Sequence, residues 1–579
     1  MSFNLTDQKH HSLSVSVWLD RFFQSYYLHR PVNATFIGIR TYDGRLPDLS
    51  ESGIEDTMTE MQTLLTQSSD LPVEEASPVE RLDLRMARGF LKIQSWEYGS
   101  RHFHRGNPSL YTGEAVFGVM SLFLNHSGSL TERIDSAINR MEAIPGFFAH
   151  AKHNVTSAPA LWIERAIREC DGALVFLTSG VQMLVADQGI SEPGFLKAAE
   201  TAASGFRQFR KYLTSELCCT PAETASCGEE AMAMYLEEGH FLDETGNEIL
   251  SYAESELAEV SAYLAEHASD FGARNSAEVL AQLSSITPSV ESYLEHYQEL
   301  WDQVRKTALD QELLSWPDFP IRYIPRPGWF QDASSLLYFL PYRSPAAFDR
   351  PLVHDHLVAP IDASMSSAVQ GMLLAANNTT VIKLNHVIHH GSIGHHVQNW
   401  YAFQASSRVG QVAAVDCAAR VAMFCGGTTA EGWACYATDL MKGVGFLSPV
   451  EQYAEKVSRL RMCARTIVDI RLHQGRISLD QAVEFYEQKV GMSPDTAKSE
   501  AVKNSMFPGT AVIYLVGTDG IHRLRREMVD RRGAEFVLKD FHDEFLSHGS
   551  IPVALIAEAM QGTKDIQISE EAQSSEFEH

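Results

Sequence analysis

The chain has 579 residues, 45% of them hydrophobic and 21% charged, enough to bury a large core and too apolar to be disordered. Its formal charge of −27 and pI near 5.3 argue against nucleic acid and anionic membranes as partners, because either demands a basic face. A small molecule or short peptide-like substrate is the expectation, and composition says nothing about the oligomeric state.

The opening stretch MSFNLTDQKHHSLSVSVW has no apolar run behind a basic start, so no export signal is read and a cytoplasmic protein is expected. ATFIGI, from Ala34, reads as a strand. In SLTERIDSAINRM the apolar Ile134, Ile138 and Met141 recur at helical spacing, and in SELAEVSAYLAEH so do Leu257, Val260 and Leu264. SVESYLEHYQELW repeats the pattern through Val290, Leu294, Tyr297 and Trp301. Residues 215–230 and the Pro-rich WPDFPIRYIPRPGW from Trp316 read as long connections, while SLLYFL and HLVAP are the remaining strand candidates. SLDQAVEFYEQKVG carries its own punctuation: Ser478 as N-cap, Gln481 three residues on, Gly491 as stop. The next helix opens at Ser493 and Pro494. The expected layout is one domain over residues 1–563 and an acidic, disordered tail over 564–579. The sequence holds no fixed-period repeat, no Gly-rich nucleotide loop and no unbroken apolar run of about 18 residues.

Eight cysteines include the adjacent Cys218 and Cys219 but no CxxC pair, which favours reduced thiols. Cys417, Cys425 and Cys435 sit among small apolar residues and read as core thiols.

The chemistry concentrates in NHVIHHGSIGHHVQNW, which holds His386, His389, His390, His395 and His396. Imidazole is the commonest side-chain metal ligand, and a helix offers two when they stand four apart. His386 and His390 have that spacing. His389 and His395 do not: six residues turn an ideal helix by ~600°, leaving the pair ~120° apart around the axis and ~9 Å along it. They converge only if the helix breaks, and Gly391 and Gly394 allow a break. Some forty residues on, TAEGWACYATDLM places Glu431 in a helical stretch, and a carboxylate from a second helix is the third protein ligand in one class of zinc hydrolases.

HHGSIGHHVQ resembles the HExxPGHHxQ signature of domain-of-unknown-function family 885, a bacterial group of metallopeptidase-like proteins, and EGWACYA resembles its EGWALYxE motif. The start WLDRFFQSYYLHRPVNATFIGIRTYDGRLPDLS, the stretch RMEAIPGFFAHAKHNV, and the endings FPGTAVIYLVGTDGIHRLRREM and DFHDEFLSHGSIPV resemble further family patterns, so the likeness covers almost the whole chain. The resemblance implies a predominantly α, zincin-like helical body with a small sheet bordering a deep active-site cleft. It implies a divalent metal, zinc by default with iron or manganese as alternatives, held by His389, His395 and Glu431; the histidine segment itself adds His386 and His396 as further candidates. It also implies roles for Tyr514, Arg525 and His542, the first two as oxyanion or carboxylate-binding groups.

This sequence departs from the family pattern where the catalytic glutamate should follow the first histidine: His390 stands there. Ile393 replaces proline, and Thr438 replaces the second glutamate of EGWALYxE. Three readings follow. His390 serves as the base of a hydrolase acting on an amide or peptide-like bond of a small carboxylate-bearing substrate. Alternatively, His390 or His396 joins the metal, which suits iron-dependent oxidative or lyase chemistry. In the third reading the domain only binds.

Overall fold

The structure is a computed structural model, described over residues 13–124, 128–337, 347–348, 351–412 and 426–562. Ser129 opens the helix Leu130–Asn154 with a reciprocal capping box: its hydroxyl accepts from the Glu132 amide, and the Glu132 carboxylate accepts from the Ser129 amide. Ser478 and Gln481 do the same for Leu479–Val490, which stops at Gly491 in the left-handed conformation (φ 73°). Ser493 caps Pro494–Met506. The periodic segments also lie in helices, Gly246–His267 and Tyr293–Asp310, although Val290 precedes the first turn of the latter.

The strand expectations fare differently. ATFIGI is helical: Pro31 at the first position starts a helix Pro31–Ile37 in which all seven residues are buried. A segment covered on every side shows no alternation to read, and β-branched residues alone do not make a strand. HLVAP overlaps β4 (His354–Val358), which pairs in parallel with β3 (Ile321–Pro325), Ile321 opposite His354 and Pro325 opposite Val358. β3 lies inside the Pro-rich stretch read as a connection. Its prolines flank the strand or end it, where a missing N–H costs nothing. A second parallel pair joins β1 (Ser157–Pro159) to β2 (Cys218–Thr220). Of SLLYFL, Leu336 and Leu337 lie in a turn, and residues 338–340 fall outside the described residues, as do Cys417, Cys425 and the tail 564–579.

Over the described residues the fold is therefore predominantly α with two small parallel sheets. One apolar cluster takes residues from Val15 to Met560. At its centre Pro108–Leu124 is buried at every position up to Phe123, as expected of a helix apolar all round. Two further helices fix the site. Gly427–Gly443 crosses Ile513–Arg532 where Gly432 meets Gly517: a Cβ on Gly432 would lie 2.5 Å from the Gly517 carbonyl carbon, and one on Gly517 2.1 Å from the Thr428 carbonyl oxygen. Only glycine at both positions lets the backbones approach that closely.

Candidate metal centre

The histidine segment folds as a wide π-helical turn, Ile382–Gly391, and a new α-helix begins at His395. The break between them is pinned from several sides. The Ser392 hydroxyl donates to the Val387 carbonyl at 2.7 Å, the Gly394 amide donates to the Ile388 carbonyl at 3.0 Å, and the Trp433 indole donates to the Ile393 carbonyl at 2.9 Å. Both glycines serve close approach rather than positive φ. A Cβ on Gly391 would sit 2.2 Å from the Tyr323 hydroxyl, and one on Gly394 2.0 Å from the His389 carbonyl oxygen. π-Turns of this kind are frequent at functional sites because they re-aim side chains that an α-helix would separate.

The break brings His389, His390 and His395 together, their nearest ligand atoms all within 4.8 Å of one another. Glu431 completes the group: the same carboxylate oxygen, Oε2, lies 3.4 Å from Nε2 of His389 and 3.4 Å from Nε2 of His395. The His395 contact is close but misaligned, so that its Nε2 is buried without a hydrogen-bond partner. Ligand bonds of ~2.0–2.2 Å around one tetrahedral ion place neighbouring donors about 3.4 Å apart. Imidazoles bound through Nε2 would stand about 5 Å apart, centre to centre, on the same geometry. The observed ring separations are 4.7 Å (His389 to His390), 4.8 Å (His389 to His395) and 5.4 Å (His390 to His395). The donor set fits a divalent cation. Burial would push the Glu431 carboxyl up, but the neighbouring His395 and His389 outweigh it and hold the group well below the usual carboxylate range.

His390 Nδ1 donates to the Asn385 carbonyl at 2.7 Å; this partner assigns the tautomer and leaves the lone pair of the neutral ring on Nε2. Behind His389, the Cys435 thiol lies 4.0 Å from Nδ1. Cys435 is one helical turn beyond Glu431 and, as read from sequence, buried; its contact with a candidate ligand was not legible there. All six described cysteines are free thiols.

The other predicted residues have partners of their own. His396 turns away: its Nε2 donates to the Phe319 carbonyl at 2.7 Å, and its Nδ1 lies 3.1 Å from Nδ1 of His354. Burial, with His354 beside it, pushes its pKa down to about 3. His386 packs 5.8 Å from the Tyr297 ring, and burial followed by Arg326 lowers it to about 4. Arg525 and His542 form a relay on another face of the glutamate helix. Arg525 donates to the Tyr436 hydroxyl at 3.2 Å, Tyr436 donates to His542 Nε2 at 2.9 Å, and His542 Nδ1 donates to the Leu313 carbonyl at 2.5 Å. Tyr436 is five residues past Glu431, about 140° around an α-helix, so this relay braces the helix from the side away from Glu431. Tyr514 lies on the first turn of Ile513–Arg532 with the Arg465 guanidinium 4.8 Å from its ring centre.

The chain is thus helical, with a broken helix that sets histidines against a carboxylate from a second helix. The chain belongs to the family described as "Bacterial protein of unknown function (DUF885)", which matches over residues 31–560. No curated protein matches it. Among solved structures it is similar to a candidate lipoprotein of unknown function from Shewanella oneidensis, at 19% identity with a TM-score of 0.75, covering 95% of this chain and 100% of that one. It is also similar to a candidate lipoprotein from Colwellia psychrerythraea, at 15% identity and TM-score 0.72, covering 95% and 99%. These likenesses show a shared fold. They also correct the expectation of a cytoplasmic protein, because both relatives are described as lipoproteins, which are held at a membrane by a lipid. One helical run among the described residues, Ala160–Gln188, is long and apolar enough to cross a bilayer, and half of its apolar window is buried against other helices, which core helices also show.

Proposed function

We propose that this chain is a metal-dependent hydrolase, related in its working parts to zincin-like metallopeptidases, that cleaves an amide or peptide-like bond in a small carboxylate-bearing substrate within a cleft. His389, His395 and Glu431 hold a divalent ion, zinc before iron or manganese. One observation carries the reading: two imidazole Nε2 atoms lie at the same 3.4 Å from one carboxylate oxygen, the edge a tetrahedral ion sets. A cation there supplies Lewis acidity toward the reacting oxygen.

His390 takes the place of the family's catalytic glutamate. Its Nδ1–H is committed to the Asn385 carbonyl, which holds the ring in one orientation and directs the basic character to Nε2. From there it takes a proton from the attacking water and gives it to the leaving nitrogen, the general acid–base role that histidine most often fills.

Elemental analysis of the full chain, purified without an affinity tag, should find about one ion per chain, and none after His389→Ala, His395→Ala or Glu431→Ala. His390→Ala should keep the ion and lower turnover of N-acylated amino acids or dipeptides by about 10²–10⁴. His390→Glu should restore family-type peptidase activity. Stoichiometry near zero after anaerobic purification from metal-supplemented medium ends the proposal.

The clustering of three imidazoles favours a second reading, in which His390 is itself a ligand. Three imidazoles and a carboxylate suit a redox metal such as iron and oxidative or lyase chemistry. His390→Ala would then lose the ion as well as the activity, and the bound metal would be iron.

A further inference from the structure

Where the turn after the helix Pro78–Gly99 meets the ends of two other helices, a cavity of about 480 Å³ opens in the N-terminal part of the chain. The turn closes on itself: a Cβ on Gly106 would lie 2.2 Å from the Arg101 carbonyl oxygen, so Arg101 and Arg105 reach the cavity from one short loop. Arg101 donates to the Ser157 carbonyl at 2.7 Å and to its hydroxyl at 2.6 Å, which fixes the guanidinium. Arg105 has neither an ion pair nor a hydrogen-bond partner among the described residues. His104 lines the same cavity, is 2% exposed, and buries its Nδ1 without a hydrogen-bond partner. Burial, then Arg105, lowers its pKa to about 4, so at neutral pH the ring is uncharged and carries one N–H.

The rest of the wall offers acceptors. Glu51 and Ile54 stand three residues apart on the helix Glu51–Ser68 and so share a face. Among the described residues the Glu51 carboxylate has neither a cation nor a hydrogen-bond donor as partner. Asn154, the last residue of Leu130–Asn154, donates its two amide hydrogens to the Leu49 carbonyl and the Tyr111 hydroxyl, each at 2.8 Å, which leaves Oδ1 as an acceptor. Glu51 and Arg105 thus line one cavity as opposite charges that do not pair with each other.

We propose that this cavity binds a small zwitterion, an amino acid or a dipeptide, with its carboxylate on Arg105, Arg101 and the His104 N–H and its ammonium on Glu51 and Asn154 Oδ1. A guanidinium presents a planar fork matched to a carboxylate. An anion alone would meet Glu51 and a cation alone would meet two guanidiniums, whereas a ligand carrying both charges is complementary to both. Such a ligand has no net charge, so a chain of net charge −27 does not repel it. The cavity has the size of a small-molecule site, and no residue of the histidine cluster lines it.

The test is calorimetric titration of the full chain, treated with EDTA so that a metal at the histidine cluster does not contribute. The ligands are glycine, alanine, leucine, phenylalanine, alanyl-alanine and alanyl-leucine, each beside its N-acetyl and amide derivatives. At least one free zwitterion should bind about 10-fold more tightly than both of its derivatives. Arg105→Gln should abolish the preference over the amide, Arg105→Lys should keep part of it, and Glu51→Gln should abolish the preference over the N-acetyl form. Both residues are exposed, so these variants should fold as the wild type does, which circular dichroism checks. Binding of the amino acids alone or of the dipeptides alone supports the proposal and names the source of the zwitterion. A preference that survives its substitution overturns the proposal, as does a panel in which nothing binds more tightly than about 10 mM. Arg105-dependent binding of inorganic phosphate or acetate that is tighter than that of every zwitterion also overturns it.

Discussion

His395 and His396 are neighbours in the chain and opposites in the structure. His396 is buried, gives one ring nitrogen to the Phe319 carbonyl and sets the other 3.1 Å from His354. Because Nε2–H donates, Nδ1 holds the lone pair and accepts from His354; the ring is a neutral bridge. His395 also buries its Nε2, but that atom finds no hydrogen-bond partner although a carboxylate oxygen lies 3.4 Å away. A satisfied buried imidazole stabilises the fold, whereas one set 3.4 Å from a carboxylate oxygen beside a second imidazole has the donor spacing that a tetrahedral cation would use. The difference lies in what each nitrogen faces, which the number of histidines in a segment does not reveal.

The largest contrast should come from removing one member of each kind. Glu431→Ala should reduce bound metal from about one ion per chain to near zero, since two imidazoles alone make a poor site. His396→Leu should leave metal content unchanged and cost about 2–4 kcal/mol of stability, as the Phe319 carbonyl and His354 lose a partner. Elemental analysis and urea unfolding on both variants read the two effects. Metal loss in His396→Leu comparable to that in Glu431→Ala would erase the distinction between the two rings.

A smaller effect tests the break that separates them. Gly394→Ala places a methyl group 2.0 Å from the His389 carbonyl oxygen, backbone against backbone, so the break must move and carry His395 with it. A loss of about 3 kcal/mol is expected, together with weaker metal binding in a zinc titration. Gly443→Ala, at the end of the glutamate helix with nothing within 4 Å of the added carbon, should change stability by less than about 1 kcal/mol. Equal effects at the two positions would mean that the break does not position His395.

The same contrast explains what could be read from sequence. Ser129, Ser478 and Gly491 announce their helix ends because capping is local chemistry between residues three or four apart. Convergence of His389 and His395 was legible because the glycines between them permit a break, although the structure shows that they are needed for space. ATFIGI, from Ala34, reads as a strand because burial on all sides of the helix Pro31–Ile37 removes its periodicity. β3 reads as a connection because its prolines, which suggest one, merely bound it. Arg525 carries a motif in the sequence, and its bond to Tyr436, on another helix, carries no local signal.

The smallest predicted effect concerns Cys435, among the described residues the one thiol against the cluster. Ligating imidazoles are oriented through their second nitrogen, and loss of that partner typically costs 10–100-fold in metal affinity. A thiol is a weak partner, so Cys435→Ala should weaken zinc binding by about 10-fold, the lower end of that range. It should also cost about 1 kcal/mol of stability for the vacated volume. Cys435→Leu, which restores the residue of the family motif, separates the two contributions: it refills the space and cannot orient His389. If both variants bind zinc more weakly in a competition titration, the sulfur orients the ring. Wild-type affinity in Cys435→Leu would show that Cys435 only fills space and does not orient His389.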